Sequence, residues 1–212
     1  MLVGCTYLNE LPSIAEDAIA VARALFDEVS LIGDCCGLPL LLAGDRDGFA
    51  RHARALGERH PEVLAVDPGC AATLRGAGVR VRLLVEEIAT RAHLRPLDPE
   101  LAGPVRWHDP CQLGRGLGVY EAPRQILTRA LGAPPAEFPR ARAKAACSGG
   151  GGLLPKTMPE TARAIAADRR QEHDAAGGGT IVTACASSVL SFRKAGAEVT
   201  DLVTVARRAM RA

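Results

Sequence analysis

The chain has 212 residues, 48% hydrophobic and 24% charged, with a formal net charge of +2. That balance excludes a disordered chain, and so small a charge marks no general nucleic-acid or membrane-surface binder. Aromatic residues make up 3%, too few for base-stacking platforms or aromatic cages.

In chain order, short β-rich runs alternate with amphipathic stretches. A strand is predicted at Leu2–Gly4 and a helix at Ser13–Phe26, with Ser13 and Glu16 in capping-box spacing. A strand at Val29–Ile32 precedes a helix at Asp47–Arg59, and strands at Val63–Val66 and Val79–Val81 precede a helix at Leu83–His93. The stretch Arg95–Pro104, holding Pro96, Pro99 and Gly103, reads as a linker. Beyond it come a strand at Val105–Trp107, helices at Tyr120–Leu131 and Pro159–His173, strands at Ile181–Thr183 and Glu198–Thr200, and a helix at Asp201–Met210. One strand of this second half is not evident.

Residues 63–90 match residues 181–208 without a gap, 118 positions on. Arg75, Ala77, Gly78, Val81, Leu84 and Val85 meet Arg193, Ala195, Gly196, Val199, Leu202 and Val203. The expected fold is therefore α/β: two pseudo-symmetric halves, 1–95 and 104–212, each a small parallel, Rossmann-like sheet produced by an internal repeat.

Seven cysteines, two of them adjacent, make a poor disulfide framework. No basic segment precedes an apolar core at the N-terminus. The longest uncharged run, Ala175–Phe192, is broken by three consecutive glycines, so no membrane span is expected. A reducing, cytoplasmic compartment is expected, where such cysteines bind metals or act catalytically. Cys5, Cys70, Cys111 and Cys185 each follow a predicted strand, and Cys35 and Cys36 follow Val29–Ile32. In open α/β sheets, ligands bind beyond the carboxyl ends of strands. Glycine or proline flanks Cys36, Cys70 and Cys111, and Cys147 precedes Gly149–Gly152. Such neighbours expose backbone N–H groups to an anionic cofactor. A thiolate-bound iron–sulfur cluster matches that description. Two rival readings are zinc, whose Cys-x-x-Cys pairs are absent here, and small buried hydrophobes.

Other signals fall away. Gly114, Gly116 and Gly118 do not form the dinucleotide fingerprint. Gly151–Gly152 with Lys156–Thr157 fails as a phosphate loop, because Pro155 holds the required glycine position. His108 and Asp109 are read as shaping the Cys111 turn, with His108 beside a cluster. Arg140, Arg142 and Lys144 read as a solvated face.

The motifs resemble the CCG-domain family, a cysteine-rich iron–sulfur module of the B-type and D-type chains of heterodisulfide reductase. Iron–sulfur subunits of glycolate, lactate and anaerobic glycerol-3-phosphate oxidation carry it too. The resemblance rests on Gly4-Cys5-Thr6, Asp34-Cys35-Cys36-Gly37-Leu38-Pro39 and Asp67-Pro68-Gly69-Cys70 in the first half. In the second half it rests on His108-Asp109-Pro110-Cys111-Gln112-Leu113-Gly114-Arg115, on the run from Gly118 to Arg124, on Ala146-Cys147-Ser148-Gly149 and on Cys185-Ala186-Ser187-Ser188.

It implies Cys5, Cys35, Cys36 and Cys70 as cluster ligands of the first half, and Cys111, Cys147 and Cys185 as those of the second. Asp67 then replaces the first cysteine of one final pair. Ala146 replaces the first cysteine of the second doublet, which sets Cys147 opposite Cys36, and Ser188 replaces the last ligand. Neither half keeps the five ligands of the family's non-cubane cluster. Four thiolates suit a 4Fe-4S cubane, so the first half is the expected cubane site, and the second has only Ser188 or solvent as a fourth donor.

The implied role is an iron–sulfur electron-transfer subunit of a heterodisulfide-reductase-like or flavin-linked oxidoreductase acting on 2-hydroxyacids or glycerol 3-phosphate. Its partners would be a flavoprotein or a ferredoxin-type iron–sulfur subunit, with no nucleic acid and with membrane association only through a partner. Two alternatives stand beside it: a cluster-poor scaffold subunit, and a thiol redox protein acting through Cys35 and Cys36.

Overall fold

Two small parallel sheets carry the chain in a computed structural model that describes residues 1–97 and 104–211. Residues 98–103 of the predicted linker lie outside the described residues. The first sheet pairs β1 (Val63–Ala65) with β2 (Val81–Leu83). Leu2 joins β1 through a single parallel bridge to Ala65, and the Ile32 N–H donates to Met1 O at 2.9 Å. The strands predicted at Leu2–Gly4 and Val29–Ile32 are thus reduced to one bridge, at Leu2, and two hydrogen bonds of Met1, one accepted from Ile32 N and one donated to Ser30 O. The second sheet holds β3 (Val105–Trp107), β4 (Ala136–Glu137), β5 (Thr180–Thr183) and β6 (Val199–Asp201), all parallel, in the order β4-β3-β5-β6. β4 is the strand missing from the sequence reading. The central strands β3 and β5 are buried at every position, as parallel strands covered on both faces require.

Eleven α-helices surround the sheets among the described residues. They are α1 (Cys5–Glu10), α2 (Pro12–Leu25), α3 (Leu38–Leu42), α4 (Arg46–Arg59), α5 (Pro68–Gly76), α6 (Leu84–Arg91), α7 (Glu121–Leu131), α8 (Leu154–Thr157), α9 (Pro159–Ala175), α10 (Ala186–Lys194) and α11 (Leu202–Arg211). The six predicted helices lie within two residues of α2, α4, α6, α7, α9 and α11. The capping box at Ser13 does not form. Leu11 is the N-cap, without a side-chain bond, and Pro12 opens the helix. Proline's fixed φ suits that first position.

The repeat is visible bond by bond. Val63 N donates to Arg80 O at 2.9 Å, and 118 residues on Ile181 N donates to Glu198 O at 2.9 Å. Val79 N to Leu74 O at 3.0 Å recurs as Ala197 N to Phe192 O at 2.9 Å. The pairing Val63↔Val81 recurs as Ile181↔Val199. A second register, offset by 106, relates the first turns of each half. Leu2 N to Leu64 O at 2.8 Å recurs as His108 N to Val182 O at 2.9 Å. Likewise Leu8 N to Gly4 O at 3.1 Å recurs as Gly114 N to Pro110 O at 2.9 Å. Helices α2, α6, α7 and α11 pack together between the two sheets, and Val21, Ile88, Ile126 and Val205 belong to one continuous core. Among the described residues, no helix is long and apolar enough to cross a membrane.

Candidate metal centre

Every cysteine but Cys147, which lies in a loop, sits at or just before the start of a helix or helical turn. Cys5 opens α1 directly after Gly4, whose φ is 103°. A Cβ on Gly4 would lie 3.1 Å from Asp67 Cβ and 3.6 Å from Cys70 Sγ, so only glycine lets this turn approach the start of α5. Asp67 caps α5, its Oδ1 accepting from Gly69 N at 2.8 Å and Cys70 N at 3.1 Å. It also accepts from Ala186 N at the start of α10, so one carboxylate joins the first turns of two helices. Cys35 and Cys36 precede α3. Gly37, at φ 83°, donates its N–H to Cys35 Sγ at 3.4 Å, and His52 Nε2 holds the Cys35 carbonyl at 2.6 Å. Cys111 precedes a π-type turn, Gln112–Gly116, and Cys185 is the N-cap of α10. Gly149, at φ 77°, donates to Cys147 Sγ at 3.4 Å.

The thiols form two groups. Cys36 and Cys70 act most strongly on one another, and Cys5 and Cys35 lie within electrostatic reach of them. Cys111 and Cys147 act on one another in the same way, and Cys111 feels the charge of Cys185. The neighbouring Cys70 thiol draws Cys36 down to about 7, and Cys70 itself is raised. The Cys111 thiol draws Cys147 down to about 6, helped by the Gly149 N–H and Arg115, and Cys111 is raised. Burial, then the Asp67 charge, pushes Cys185 up to about 12. In each pair one thiol ionises more readily than the other.

Soft thiolates are the donor set of an iron–sulfur cluster, and all seven thiols are free. Among the described residues, no three of His, Cys, Asp and Glu converge to hold a single metal ion. That argues against mononuclear zinc. It is compatible with a polynuclear cluster, whose ligands bind separate irons instead of one point.

Asp109 organises the second group. Its carboxylate accepts from Trp107 Nε1 at 2.8 Å, from two Arg124 nitrogens at 2.8 Å each, and from Arg142 N at 2.7 Å. It thereby ties the end of β3, helix α7 and the loop that runs on to Cys147. The reading of Asp109 as a shaper of the Cys111 turn fits this network, whereas the contacts of His108 are to two aromatic rings and an arginine. It is buried between the Phe138 and Phe192 rings, at 5.8 and 4.9 Å, and accepts from Arg169 Nε at 3.4 Å. Burial, then the Arg169 charge, lowers its pKa to about 3, so it stays neutral. Arg140 and Arg142 are exposed, as a solvated face requires, but they are ion-paired there. Arg140 pairs with Asp168 and Glu172, and Arg142 pairs with Glu121.

Comparison with known proteins adds a match to the CCG cysteine-rich domain over residues 1–75 and 105–193. The chain belongs to the CCG family. Among CCG relatives, the B subunit of the fumarate reductase (CoM/CoB) of Methanothermobacter marburgensis is 30% identical over 76% of this chain and 35% of its own length. An uncharacterized iron–sulfur protein of Methanocaldococcus jannaschii is 29% identical over 86% of this chain and 38% of its own. The D subunit of the dihydromethanophenazine:CoB–CoM heterodisulfide reductase of Methanosarcina acetivorans is 26% identical over 98% and 58%. The chain thus spans less than two thirds of the length of each of these relatives.

The CCG geometry corrects one alignment. The N–H of the left-handed Gly37 meets Cys35, and the N–H of the left-handed Gly149 meets Cys147. Cys147 therefore stands in the place of Cys35, not of Cys36, and Ser148 takes the place of Cys36. The 118-residue offset puts Ser188 in the place of Cys70. Ser148 Oγ and Ser188 Oγ are hydrogen-bonded at 2.8 Å and buried, where the first half has the buried thiols Cys36 and Cys70. One thiol pair is matched by one hydroxyl pair. Ser188, the fourth donor that the sequence suggested, bonds Ser148 and also acts on Cys185. The signal was already in the sequence, where Cys35-Cys36-Gly37 parallels Cys147-Ser148-Gly149.

Proposed function

We propose that the chain is an iron–sulfur electron-transfer subunit built as two copies of one unit, 1–95 and 104–212. The observation that carries this is the gathering of free thiols into two groups, Cys36 with Cys70 and Cys111 with Cys147, each beside further thiols. Cys5, Cys35, Cys36 and Cys70 would hold a 4Fe-4S cubane. Cys111, Cys147 and Cys185 would hold a second cluster with three protein thiolates. Such clusters supply one-electron redox chemistry. The chain's own residues fix the thiolates at helix starts and offer N–H donors from Gly37 and Gly149 that lower the charge on sulfur.

The names of the relatives support work inside a reductase complex, with a flavoprotein or a ferredoxin-type chain as electron partner. Free thiols fit a reducing cytoplasm. Anaerobic purification tests the reading: iron and sulfide should copurify with the chain, with visible absorbance that bleaches on reduction. A colourless, iron-free chain after anaerobic reconstitution would leave a scaffold role instead.

The serine pair gives a sharper expectation. Three thiolates leave one iron of the second site without a protein thiolate, so mild oxidation should release iron. The double variant Ser148→Cys with Ser188→Cys restores the thiol couple of the first half and should retain that iron. Iron counted before and after ferricyanide, in the variant and the parent, decides it; equal losses would show that the pair does not set the ligand number.

A further inference from the structure

Tyr7 and Asp201 form a buried polar pair outside the thiol sets. Tyr7 Oη donates to Asp201 Oδ2 at 2.7 Å, and Val203 N donates to Oδ1 at 2.9 Å. Asp201 is 0% exposed and Tyr7 1%. The repeat supplies an internal control. The residue 106 positions after Tyr7 is Leu113, and the residue 118 positions before Asp201 is Leu83. Both leucines are buried in the core. Helix α6 starts at its Leu83 N-cap without a side-chain cap, so neither packing nor capping obliges the fold to place an acid here.

An acid buried without a cation is costly, and Asp201 joins no ion pair among the described residues. What faces it is polar or acidic. Tyr7 comes from α1, Asp67 from the start of α5, and Asp17 from α2, where Thr204 of α11 bonds it at 2.8 Å. Cys185, at the start of α10, acts on Tyr7. Across the β5–β6 ladder, Thr183 pairs with Asp201 and keeps a buried hydroxyl with no hydrogen-bond partner. On the two helices that pack against β6, the described basic side chains are those of Arg193 and Lys194 in the last turn of α10, and of Arg207 and Arg208 of α11, none of them ion-paired to Asp201.

We propose that Asp201 takes up the proton that accompanies electron entry into this chain. The proposal rests on the electron-transfer reading above. An electron delivered by a reduced flavin or iron–sulfur partner adds negative charge next to Cys5 and Cys185, both close to Tyr7. A proton from solvent bonds to a carboxylate oxygen of Asp201 and offsets that charge, and reoxidation releases both. Burial pushes the Asp201 pKa up to about 7, opposed by the Val203 and Tyr7 bonds and reinforced by the Asp67 and Asp17 charges. Added negative charge nearby raises it further.

The test is a redox titration of the anaerobically loaded full chain from about pH 6 to about pH 8, with iron content and visible spectrum matched between variants. The midpoint potential of the parent should become more negative as pH rises. Asp201→Asn keeps the shape and both hydrogen-bond contacts but cannot titrate, and should flatten the dependence. Tyr7→Phe removes a donor to the carboxylate and should move the pH-dependent window upward. A pH-independent parent, or an Asn variant that keeps the parent's slope with full iron, overturns the assignment and leaves the electron-transfer reading intact. A chain that binds no iron overturns both.

Discussion

Replacing Cys70 by alanine is expected to strip the first site of its iron, whereas Ser188→Ala leaves the iron count of the chain unchanged. Cys70 sits in the first turn of α5 and is acted on by Cys36 and Cys5. It is one of four thiolates in that group, and cluster ligation is coupled to the folded state, so one lost ligand severely weakens the site. Ser188 has the equivalent backbone position, but it offers a hydroxyl, a poorer donor to iron than a thiolate, and bonds Ser148. Removing it leaves Ser148 without that partner, at a cost of about 1–3 kcal/mol in stability, and takes away no ligand. Iron and sulfide per chain, with visible absorbance after anaerobic reconstitution, separate the two variants, and far-ultraviolet circular dichroism shows that both are folded. Unchanged iron in Cys70→Ala would remove the first half from the set of cluster sites.

Legibility in the sequence followed the length and regularity of each signal. Helices α2, α4, α7 and α9, each 11 to 17 residues long, were readable because an apolar face repeats over several turns. β4 was not, since Ala136 and Glu137 are two residues with no alternation to detect. Helices α5 and α10, nine residues each, were missed because their first turns read as loops. Pro68 and Gly69 look like breakers, yet proline fits the first position of a helix.

Within the site, strand-end placement singled out the cysteines, and the family resemblance grouped Cys5 with Cys35, Cys36 and Cys70. The alignment of Cys147 went astray because it matched sulfur to sulfur. Backbone conformation was the better guide, since Gly37 and Gly149 are both left-handed and fix which neighbour each N–H meets. The pairing of Tyr7 with Asp201, 194 positions apart, and the Asp109–Arg124 network depend on tertiary packing, which no local pattern reports.

Asp109→Ala should produce the largest loss of stability, on the order of 3–5 kcal/mol, because it breaks a buried, bidentate ion pair from one side. The Arg124 and Asp109 side chains are 8% and 3% exposed. Without Asp109, Arg124 keeps only Glu137, at 2.7 and 2.8 Å, and the Tyr120 carbonyl, while Trp107 Nε1 and Arg142 N lose their acceptor. The damage falls on the second thiol group, since Asp109 lies two residues before Cys111 and its Arg142 bond anchors the loop that leads to Cys147. Arg59→Ala, which breaks an exposed, solvent-screened pair with Asp34, should be far milder.

Acid should erase the difference between parent and Asp109→Ala. Burial works to raise the Asp109 pKa, but the bonds from Arg124, Arg142 N and Trp107 outweigh it and hold the carboxyl below its usual value. A carboxyl whose folded pKa is depressed stabilises the fold fully above its unfolded pKa, about 3.9. That contribution is lost as pH falls through the lower, folded value. Urea unfolding should therefore separate parent and Asp109→Ala widely at neutral pH and progressively less below about pH 4. A gap that stays constant into acid would mean that packing, not the charge on Asp109, carries the effect. Iron lost from the second site at neutral pH, in a variant whose first site stays loaded, would tie the ion pair to the placement of Cys111 and Cys147. Equal loss from both sites would instead mean that Asp109 supports the fold as a whole.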